Sequence, residues 1–278
     1  MAVIFKPEHH KYHSIDEDPI DWVSVTTLTS LFKQPFDAES QALKSSRNRK
    51  SKWYGMSLEE IKAAWKAEGD RATKLGTWYH NQREADLCLL DTIEREGVKL
   101  PIIRPIEKDG DKYAPEQKLT NALYPEHFVY LKSVGICGQS DLVEVIGKKV
   151  NITDYKTNKE IRLEGFKTWE GITQKMKAPL DHLDDCHINH YALQLSLYMY
   201  IILKHNYQLS PGKLTLNHII FKELGRDKYD YPINELDSNG DPIVEQVVPY
   251  DLPYLKSEVI SIINWLKDNR GQELKKAA

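Results

Sequence analysis

Hydrophobic and polar residues alternate in three short runs that follow one another in the middle of the chain. The runs are HFVYLKSVG over 127–135, ICGQSDLVEVIG over 136–147 and KKVNITDYKT over 148–157. Alternation with a period of two is typical of a half-buried strand, and Gly135 and Gly147 provide tight breaks between the runs. The pattern therefore predicts an antiparallel meander of three strands.

Other stretches of the chain predict helices on both sides of this meander. The segment His187–His205 is a strongly apolar helix, and LTLNHIIFK over 214–222 is predicted as a fourth strand. The remaining predicted elements are a capping-box helix over 57–68, a helix over 71–95, a linker over 97–125 and a terminal helix over 254–269. This order indicates an α+β or mixed α/β fold, built as a sheet flanked by helices.

The composition narrows the class of protein. Of the 278 residues, 41% are apolar and 28% are charged, which suits one large globular domain or two small ones. The longest apolar stretch, over 192–203, is too short to span a bilayer, so we expect no membrane partner. The first residues resemble neither a secretory signal nor a mitochondrial presequence, and three well-separated cysteines favour reduced thiols. We therefore expect a cytoplasmic protein that is not secreted.

Positive charge is concentrated in one part of a chain whose net charge is −3. Between residues 41 and 83 there are ten Lys or Arg residues and four Asp or Glu residues. The densest basic run consists of Lys44, Arg47, Arg49, Lys50 and Lys52. Such a run is either a solvated surface or the electrostatic footprint of a polyanion site, and its composition alone leaves both interpretations open.

Two carboxylates and a lysine occupy the predicted hairpin. Asp141, in the motif G-x-x-D, is predicted to begin one strand, and Asp154 to end the next. Pairing of these strands would bring both acids to one end of the sheet, where their repulsion favours a cation such as Mg²⁺ between them. Lys156 shares a strand face with Asp154, so the two form either a surface ion pair or part of a site that stabilises charge on a phosphate.

Two helical patterns add further candidate residues. His80 and Glu84 are four residues apart and share a helix face, and His80 is either a structural residue or a metal ligand. Gln194 and Tyr198 share a face of the apolar helix with Tyr191. A polar stripe on so apolar a helix either forms internal hydrogen bonds or lines a cleft.

Taken in order, these motifs resemble the PD-(D/E)XK nuclease superfamily. They are GTWYH over 76–80, GQSD over 138–141, ITDYKT over 152–157 and QLSLY over 194–198. The resemblance is closest to the RecB-like branch, which includes phage-type exonucleases and the mitochondrial genome maintenance exonuclease. The run VSVTTL over 23–28 is also similar to a segment of the phage-type members.

The resemblance covers about residues 20–222 and implies a fold with defined parts. We expect a restriction-endonuclease-like core, with a central mixed sheet flanked by helices and a helical N-terminal extension. The implied organisation is a single nuclease domain over 1–278, with a helical, basic DNA-entry portion over 20–96, a catalytic sheet core over 126–222, and a C-terminal segment with a closing helix over 223–278.

The resemblance also implies roles for individual residues. The implied ligands of one or two Mg²⁺ or Mn²⁺ ions are His80, Asp141, Asp154 and the carbonyl oxygen of Tyr155. Lys156 would be the catalytic lysine, oriented by Gln194 and Tyr198, which would also contact DNA. Glu84 would orient His80 or a water at the metal. The cysteines that hold an iron–sulfur cluster in some relatives are missing after Cys186, so no such cluster is expected.

The implied activity is that of a metal-dependent deoxyribonuclease encoded by a bacterium or a phage and working in the bacterial cytoplasm. We expect an exonuclease acting on single-stranded DNA or DNA ends in replication, recombination or repair. Trp53, beside the basic run, is the favoured residue for base stacking. Two alternatives stay open: a structure-specific or restriction-type endonuclease on the same core, and a catalytically inactive DNA-binding protein.

Overall fold

A computed structural model describes residues 3–8, 11–15, 20–168 and 170–270 of the chain. The described residues form a mixed α/β fold, as predicted. Its strands are β1 (Val3–Lys6), β2 (Lys11–Ser14), β3 (Val23–Ser24), β4 (Thr92–Arg95), β5 (Val98–Pro101), β6 (Ile106–Lys108), β7 (Asp111–Tyr113), β8 (Ala122–Leu131), β9 (Ile136–Ile146), β10 (Lys149–Lys156), β11 (Ser210–Phe221), β12 (Glu223–Arg226), β13 (Pro232–Asn234) and β14 (Val244–Leu252). Its helices are α1 (Val25–Ser30), α2 (Ala38–Arg47), α3 (Leu58–Cys88), α4 (His187–His205) and α5 (Lys256–Asn269), with a 3-10 turn at Lys132–Val134.

A mixed sheet has the strand order β14–β11–β10–β9–β3, with β8 paired along β9. Strands β8, β9 and β10 are antiparallel in succession, which confirms the predicted meander. Strands β10 and β11 are parallel, so the chain needs a long crossover between them, and α4 provides it. The sheet extends beyond the expected core over 126–222, because β8 begins at Ala122 and β14 pairs with β11.

The apolar stripe of α4 packs against the sheet together with α1 and α5. Ala192, Leu195 and Met199 are buried in the same cluster as Ile152 of β10 and Leu216 of β11. Complete burial of a large aliphatic side chain stabilises a fold by about 1.5–3 kcal/mol. This contact fixes α4 on the sheet and therefore also fixes the polar stripe on its flank.

One continuous helix, α3, replaces the two helices predicted over 57–68 and 71–95. The predicted capping box opens it, but Gly76 does not interrupt it, since a glycine inside a helix costs only about 1 kcal/mol relative to alanine. A Cβ at Gly76 would lie 3.4 Å from Oγ1 of Thr157, so the glycine allows α3 to lie close to the chain that follows β10. The helix ends at Cys88, and residues 92–95 form β4 of a hairpin with β5 instead.

Helix α3 packs against the face of the sheet opposite to α4. The contact is a cluster of Leu75, Trp78 and Tyr79 with Tyr155, Ile219 and Phe221. Because Asp154 and Tyr155 are adjacent in a strand, their side chains point to opposite faces. Helices α4 and α3 therefore enclose the C-terminal end of β10 from two sides.

The segment predicted as a linker over 97–125 contains β5, β6 and β7 and the start of β8. Strands β7 and β6 join β1 and β2 in a separate four-stranded sheet. The expected C-terminal segment ends outside the described residues, which stop at 270. None of the helices in the described ranges is both long and apolar enough to cross a membrane.

Gly138 allows β9 to lie close to α4, and this contact can be tested. A Cβ at Gly138 would lie 2.9 Å from Cε1 of Tyr198, whose side chain is 2% exposed. We expect Gly138→Ala to lower the free energy of unfolding by about 1–3 kcal/mol, the usual range for overpacking. Urea denaturation would measure the change, with Gly225→Ala as the control because a Cβ there meets nothing within 4 Å. Equal stability of the two variants would contradict the expectation.

Candidate active site

Three carboxylates lie in one row across three neighbouring strands. In the ladder between β8 and β9, Pro125 pairs with Leu142 and His127 pairs with Ser140, so Glu126 lies beside Asp141. The ladder between β9 and β10 ends one residue before Asp154, which therefore adjoins Asp141 on its other side. Residues opposite each other in such ladders have Cβ atoms about 4.5–5.5 Å apart. The structure thus brings Asp141 and Asp154 together, although Asp141 lies in the middle of its strand and not at its start.

Glu126 has a left-handed backbone conformation, with a φ of 45° that residues with a Cβ rarely adopt. This conformation interrupts the alternation of side chains between the two faces of β8. Tyr124 and Val129 both belong to the main core, although regular alternation would place them on opposite faces of the strand. Backbone strain of this kind costs about 1–3 kcal/mol and is concentrated at functional sites. Here the strained residue carries the first carboxylate of the row.

His80 reaches the row from α3. Its Nδ1 lies 3.3 Å from Oδ2 of Asp141, and its Nε2 lies 3.0 Å from the carbonyl oxygen of Tyr155. The same oxygen of Asp141 accepts the backbone N–H of Tyr155 at 2.8 Å. Because Nε2–H donates to the carbonyl, Nδ1 is the nitrogen that faces the carboxylates. His80, Glu126 and Asp141 each offer a ligand atom within 4.8 Å of the other two.

Lys156 lies at the other end of the row and is held by two residues. Its Nζ is 2.5 Å from Oδ2 of Asp154 and 5.1 Å from the ring centre of Tyr191 on α4. The second oxygen of Asp154 accepts a hydrogen bond from Nε2 of Gln194 at 3.2 Å. Gln194, expected to orient the lysine, therefore acts on it only through Asp154.

Tyr198 does not have the surface position expected for a residue that contacts DNA. Its side chain is 2% exposed and packs against Gly138, so this part of the sequence interpretation is wrong. Tyr191, two turns earlier on α4, has the more accessible position, and its hydroxyl donates to Oδ1 of Asn158 at 2.9 Å. Tyr191 belongs to the polar stripe recognised in the sequence but was not among the predicted site residues.

Burial makes ionisation of these acids unfavourable. Burial raises the pKa of Glu126 to about 8, with a further contribution from the charge of Asp141. Burial also raises the pKa of Asp154, although Lys156 acts in the opposite direction. In Asp141 the effect of burial is outweighed by the hydrogen bond and charge of His80, so its pKa is lowered. Glu126 therefore keeps its proton at neutral pH unless a further cation is present.

The donor set fits a hard divalent cation. Carboxylate oxygens, with one imidazole nitrogen, suit Mg²⁺ or Mn²⁺, and a cation between Glu126 and Asp141 would remove their repulsion. Of the ligands implied by the sequence, His80 and Asp141 belong to this group of three, Asp154 adjoins it, and the carbonyl of Tyr155 faces His80.

Glu126 is the candidate ligand that the sequence interpretation missed. Its signal was present, because it is the acidic residue in the otherwise uncharged run ALYPEHFVYL over 122–131. The sequence pattern predicts a linker that ends at Pro125 and a strand that begins at His127. The observed strand contains both of these residues and Glu126, which lies beside Asp141.

Glu84 lies one helical turn beyond His80, but its carboxylate contacts another group. Its Oε2 is 3.4 Å from Nζ of Lys112, which is also 3.3 Å from Glu107. Among the described residues, no hydrogen bond joins Glu84 to His80, so the expected orienting role of Glu84 has no contact to support it. The ring of His80 is oriented by Asp141 and Tyr155 instead.

The basic run lies on α2 and in the turn that follows it. Lys44, Arg47, Arg49 and Lys50 are exposed, as an interaction with a polyanion requires. Lys52 is also exposed, but its ammonium donates to the carbonyl of Tyr229. Lys52 therefore also connects the basic run to the segment between β12 and β13.

Trp53 is a core residue and not the exposed stacking platform that we expected. Its side chain is 6% exposed, and its ring centre lies 6.2 Å from that of Trp65 and 5.2 Å from that of Tyr229. The arm formed by α2 and the first half of α3 has a small core of its own, in which Trp53 is buried with Ala42, Ile61 and Ala64. The prediction of base stacking on Trp53 is therefore wrong.

Comparison of the chain with protein-family models, curated proteins and solved structures finds no match. The geometry described above is therefore the basis for inferring function. Its central feature is a row of three acids, with a histidine at one end and a lysine at the other.

The pKa shifts predict how pH and metal act on stability. The folded pKa values of Glu126, about 8, and His80, about 9, both exceed their ordinary values. The proton-dependent stabilisation is therefore complete at acidic pH and is lost as pH rises through these values. We expect the Tm of the metal-free protein to fall between pH 6 and pH 9. Mn²⁺ binds the deprotonated ligands, so it should raise Tm more at pH 8 than at pH 6.

Thermal unfolding with and without Mn²⁺ at the two pH values would test this expectation. Glu126→Gln should reduce the metal-induced rise at pH 8 and weaken Mn²⁺ affinity by about 10-fold or more. Glu94→Gln, at an exposed position of β4, is the matched control. A metal-induced rise that is the same at both pH values would show that these acids do not bind the ion.

Proposed function

We propose that this protein is a Mg²⁺- or Mn²⁺-dependent nuclease that hydrolyses phosphodiester bonds in DNA. The observation that carries the proposal is the row of Glu126, Asp141 and Asp154 between His80 and Lys156. The spacing of Asp154 and Lys156 on β10, followed by a crossover helix and a parallel strand, supports a core of the PD-(D/E)XK type. The resemblance of the sequence motifs to that superfamily supports the same proposal.

The side chains of the row have complementary roles in this proposal. A divalent ion held by Glu126, Asp141 and His80 would supply a Lewis acid for attack on a phosphate. The charge of Asp154 raises the pKa of Lys156 despite burial, which favours the positively charged ammonium form. An ammonium group fixed in this way can stabilise the negative charge that develops on the phosphate.

A DNA substrate is supported by the distribution of charge. Acids at the centre of the site would repel a polyanion, so positive charge must attract the strand from nearby. The exposed residues Lys44, Arg47, Arg49 and Lys50 form the densest such surplus. We propose that this run guides a single strand or a DNA end to the site, and that the protein acts as an exonuclease.

Removal of single site residues tests catalysis separately from binding. We expect Asp141→Ala, Asp154→Ala and Lys156→Ala each to abolish cleavage of a labelled single-stranded oligonucleotide in Mn²⁺. Binding should survive at least in part, because most affinity for DNA comes from contacts with the phosphate backbone. Lys148→Ala, an exposed lysine in the turn between β9 and β10, is the matched control and should cleave normally.

The products of the same assay separate the possible activities. A stepwise ladder supports an exonuclease, and a single internal cut supports a structure-specific or restriction-type endonuclease. Binding without cleavage by the unaltered protein would reject the nuclease proposal. Normal turnover by a folded variant of Asp141, Asp154 or Lys156 would remove that residue from the site.

The basic run should determine how binding depends on salt. Each phosphate contact on a single strand contributes about −0.7 to the slope of log affinity against log salt. Replacing Lys44, Arg47, Arg49 and Lys50 with Ser should therefore flatten the slope by up to about 2.8 units. Lys52 is left in place because its ammonium also binds the carbonyl of Tyr229. Fluorescence titration of Lys156→Ala protein with a single strand at several salt concentrations measures the slope.

A matched control removes the same number of positive charges, as four exposed lysines, from the opposite end of the sheet. The residues are Lys148, Lys149, Lys204 and Lys213. Lys149 begins the strand that ends at Lys156, so at 3.3 Å per residue it is about 23 Å away. A control slope that falls as much as that of the first variant would show that net charge alone, and not the basic run, sets the salt dependence.

A further inference from the structure

A cavity of about 630 Å³ opens beside the candidate active site. Thr157 and Asn158, which follow Lys156 directly, contribute to its lining. Asn158 is held firmly, because its side chain accepts the hydroxyl of Tyr191 and its carbonyl lies 2.6 Å from Nε2 of His218. The far wall is the part of α3 that precedes His80. The cavity therefore adjoins the lysine end of the carboxylate row.

The cavity presents flat apolar surface. Phe36, Trp65 and Tyr231 contribute to its lining, together with Leu75 and Phe221. Phe36 is 70% exposed, although it lies 5.8 Å from the ring of Trp65. Exposed aromatic rings beside a site for nucleic acid are suited to stack on unpaired bases.

The charged residues that line the cavity are three acids and three bases, which leaves no net charge. Glu68 binds Arg71 at 2.8 Å and Lys159 at 2.5 Å, and Glu223 binds Arg226 at 3.2 Å. Such paired charges leave no strong surplus for a phosphate. The lining therefore suits an uncharged, flat group more than an anionic one.

A continuous set of contacts connects the basic run with this cavity. The ammonium of Lys52 lies 4.5 Å from the ring centre of Tyr231, and that of Lys159 lies 3.8 Å from the same ring. Lys159 is three residues after Lys156. Tyr231 therefore lies between a residue of the basic run and the segment that follows Lys156.

We propose that this cavity binds an unstacked nucleobase of single-stranded DNA, a nucleotide or two from the scissile phosphate. The inference rests on the proposed nuclease function and adds to it a requirement for an unpaired base next to the cleavage site. Cavities of about 300–1,000 Å³ hold ligands of this size. From Leu75, at the cavity, to His80 is about 7.5 Å along α3, since a helix rises 1.5 Å per residue. In duplex DNA the base is paired and stacked, so it cannot enter.

A scan of abasic positions tests the proposal without cleavage. Lys156→Ala protein in Mn²⁺ is titrated with a series of short oligothymidylates, each lacking one base at a different position. We expect one position, or two adjacent ones, at which loss of the base weakens binding by about 5- to 150-fold, the range of base–aromatic stacking. The other positions should change affinity little. Uniform affinity across the series would overturn the proposal.

A variant that fills the cavity provides the matching protein experiment. A Cβ at Gly69 on α3 meets nothing within 4 Å, so Gly69→Leu places a side chain in the cavity and also favours the helix. In the Lys156→Ala background, this variant should bind the intact strand about 10-fold more weakly and lose its sensitivity to the abasic position. Ala67→Leu, on an exposed part of the same helix, should keep both properties. An unchanged abasic profile in the Gly69 variant would also overturn the proposal.

Failure of this inference can be distinguished from failure of the proposed function. Cleavage by the unaltered protein with no sensitive abasic position would reject the base site and keep the nuclease. A sensitive position without any cleavage would reject the nuclease and keep a base-binding cavity. A third outcome is that the protein binds fully paired duplex tightly and that Gly69→Leu weakens this binding as much as it weakens binding of the single strand. This outcome would show that the cavity receives something other than an unpaired base.

Discussion

The candidate site depends on one electrostatic constraint: three carboxylates on neighbouring strands cannot all be charged at close range without cations among them. His80 contacts Asp141 at one end of the row, and Lys156 contacts Asp154 at the other. Glu126 is the acid left with a pKa of about 8, because burial and the charge of Asp141 raise it and neither of these contacts is made to Glu126. A divalent cation in place of the proton on Glu126 would correct the remaining imbalance, and this supports the metal site that we propose.

The surrounding fold holds this unfavourable arrangement in place. The left-handed backbone at Glu126 costs about 1–3 kcal/mol, and burial of one large aliphatic side chain contributes a similar amount. Helix α4 carries both Tyr191, which lies against Lys156, and a buried stripe that includes Leu195 and Met199. The position of the lysine is therefore set partly by core packing several ångströms from any reacting group. Helix α3 has the same double role, because it packs on Tyr155 and carries His80.

The sequence predicted those parts of the fold whose structure depends on residues close together in the chain. Period-two alternation and turn glycines identified the meander, and its register was enough to bring Asp141 beside Asp154. Glu126 was missed because its left-handed conformation breaks that alternation at the residue itself. The continuity of α3 through Gly76 could not be predicted, since it depends on close packing against Thr157 from a distant part of the chain. The contacts of Lys156 likewise depend on the tertiary structure, so the spacing of residues in the sequence does not predict them.

The aromatic residues show why proximity to basic residues in sequence does not identify a nucleic-acid surface. Trp53 adjoins the basic run but is buried, because it packs in the small core that α2 and the first half of α3 share. Phe36 and Tyr231 are far apart in sequence, yet both line the cavity beside Lys156. Long-range attraction of a polyanion requires unpaired surface charge, whereas stacking of a base requires a flat aromatic or apolar surface. In this chain the two kinds of surface lie in adjacent places, joined through the contact of Lys52 with Tyr231, and this arrangement supports the proposal that one attracts a strand and the other receives a base.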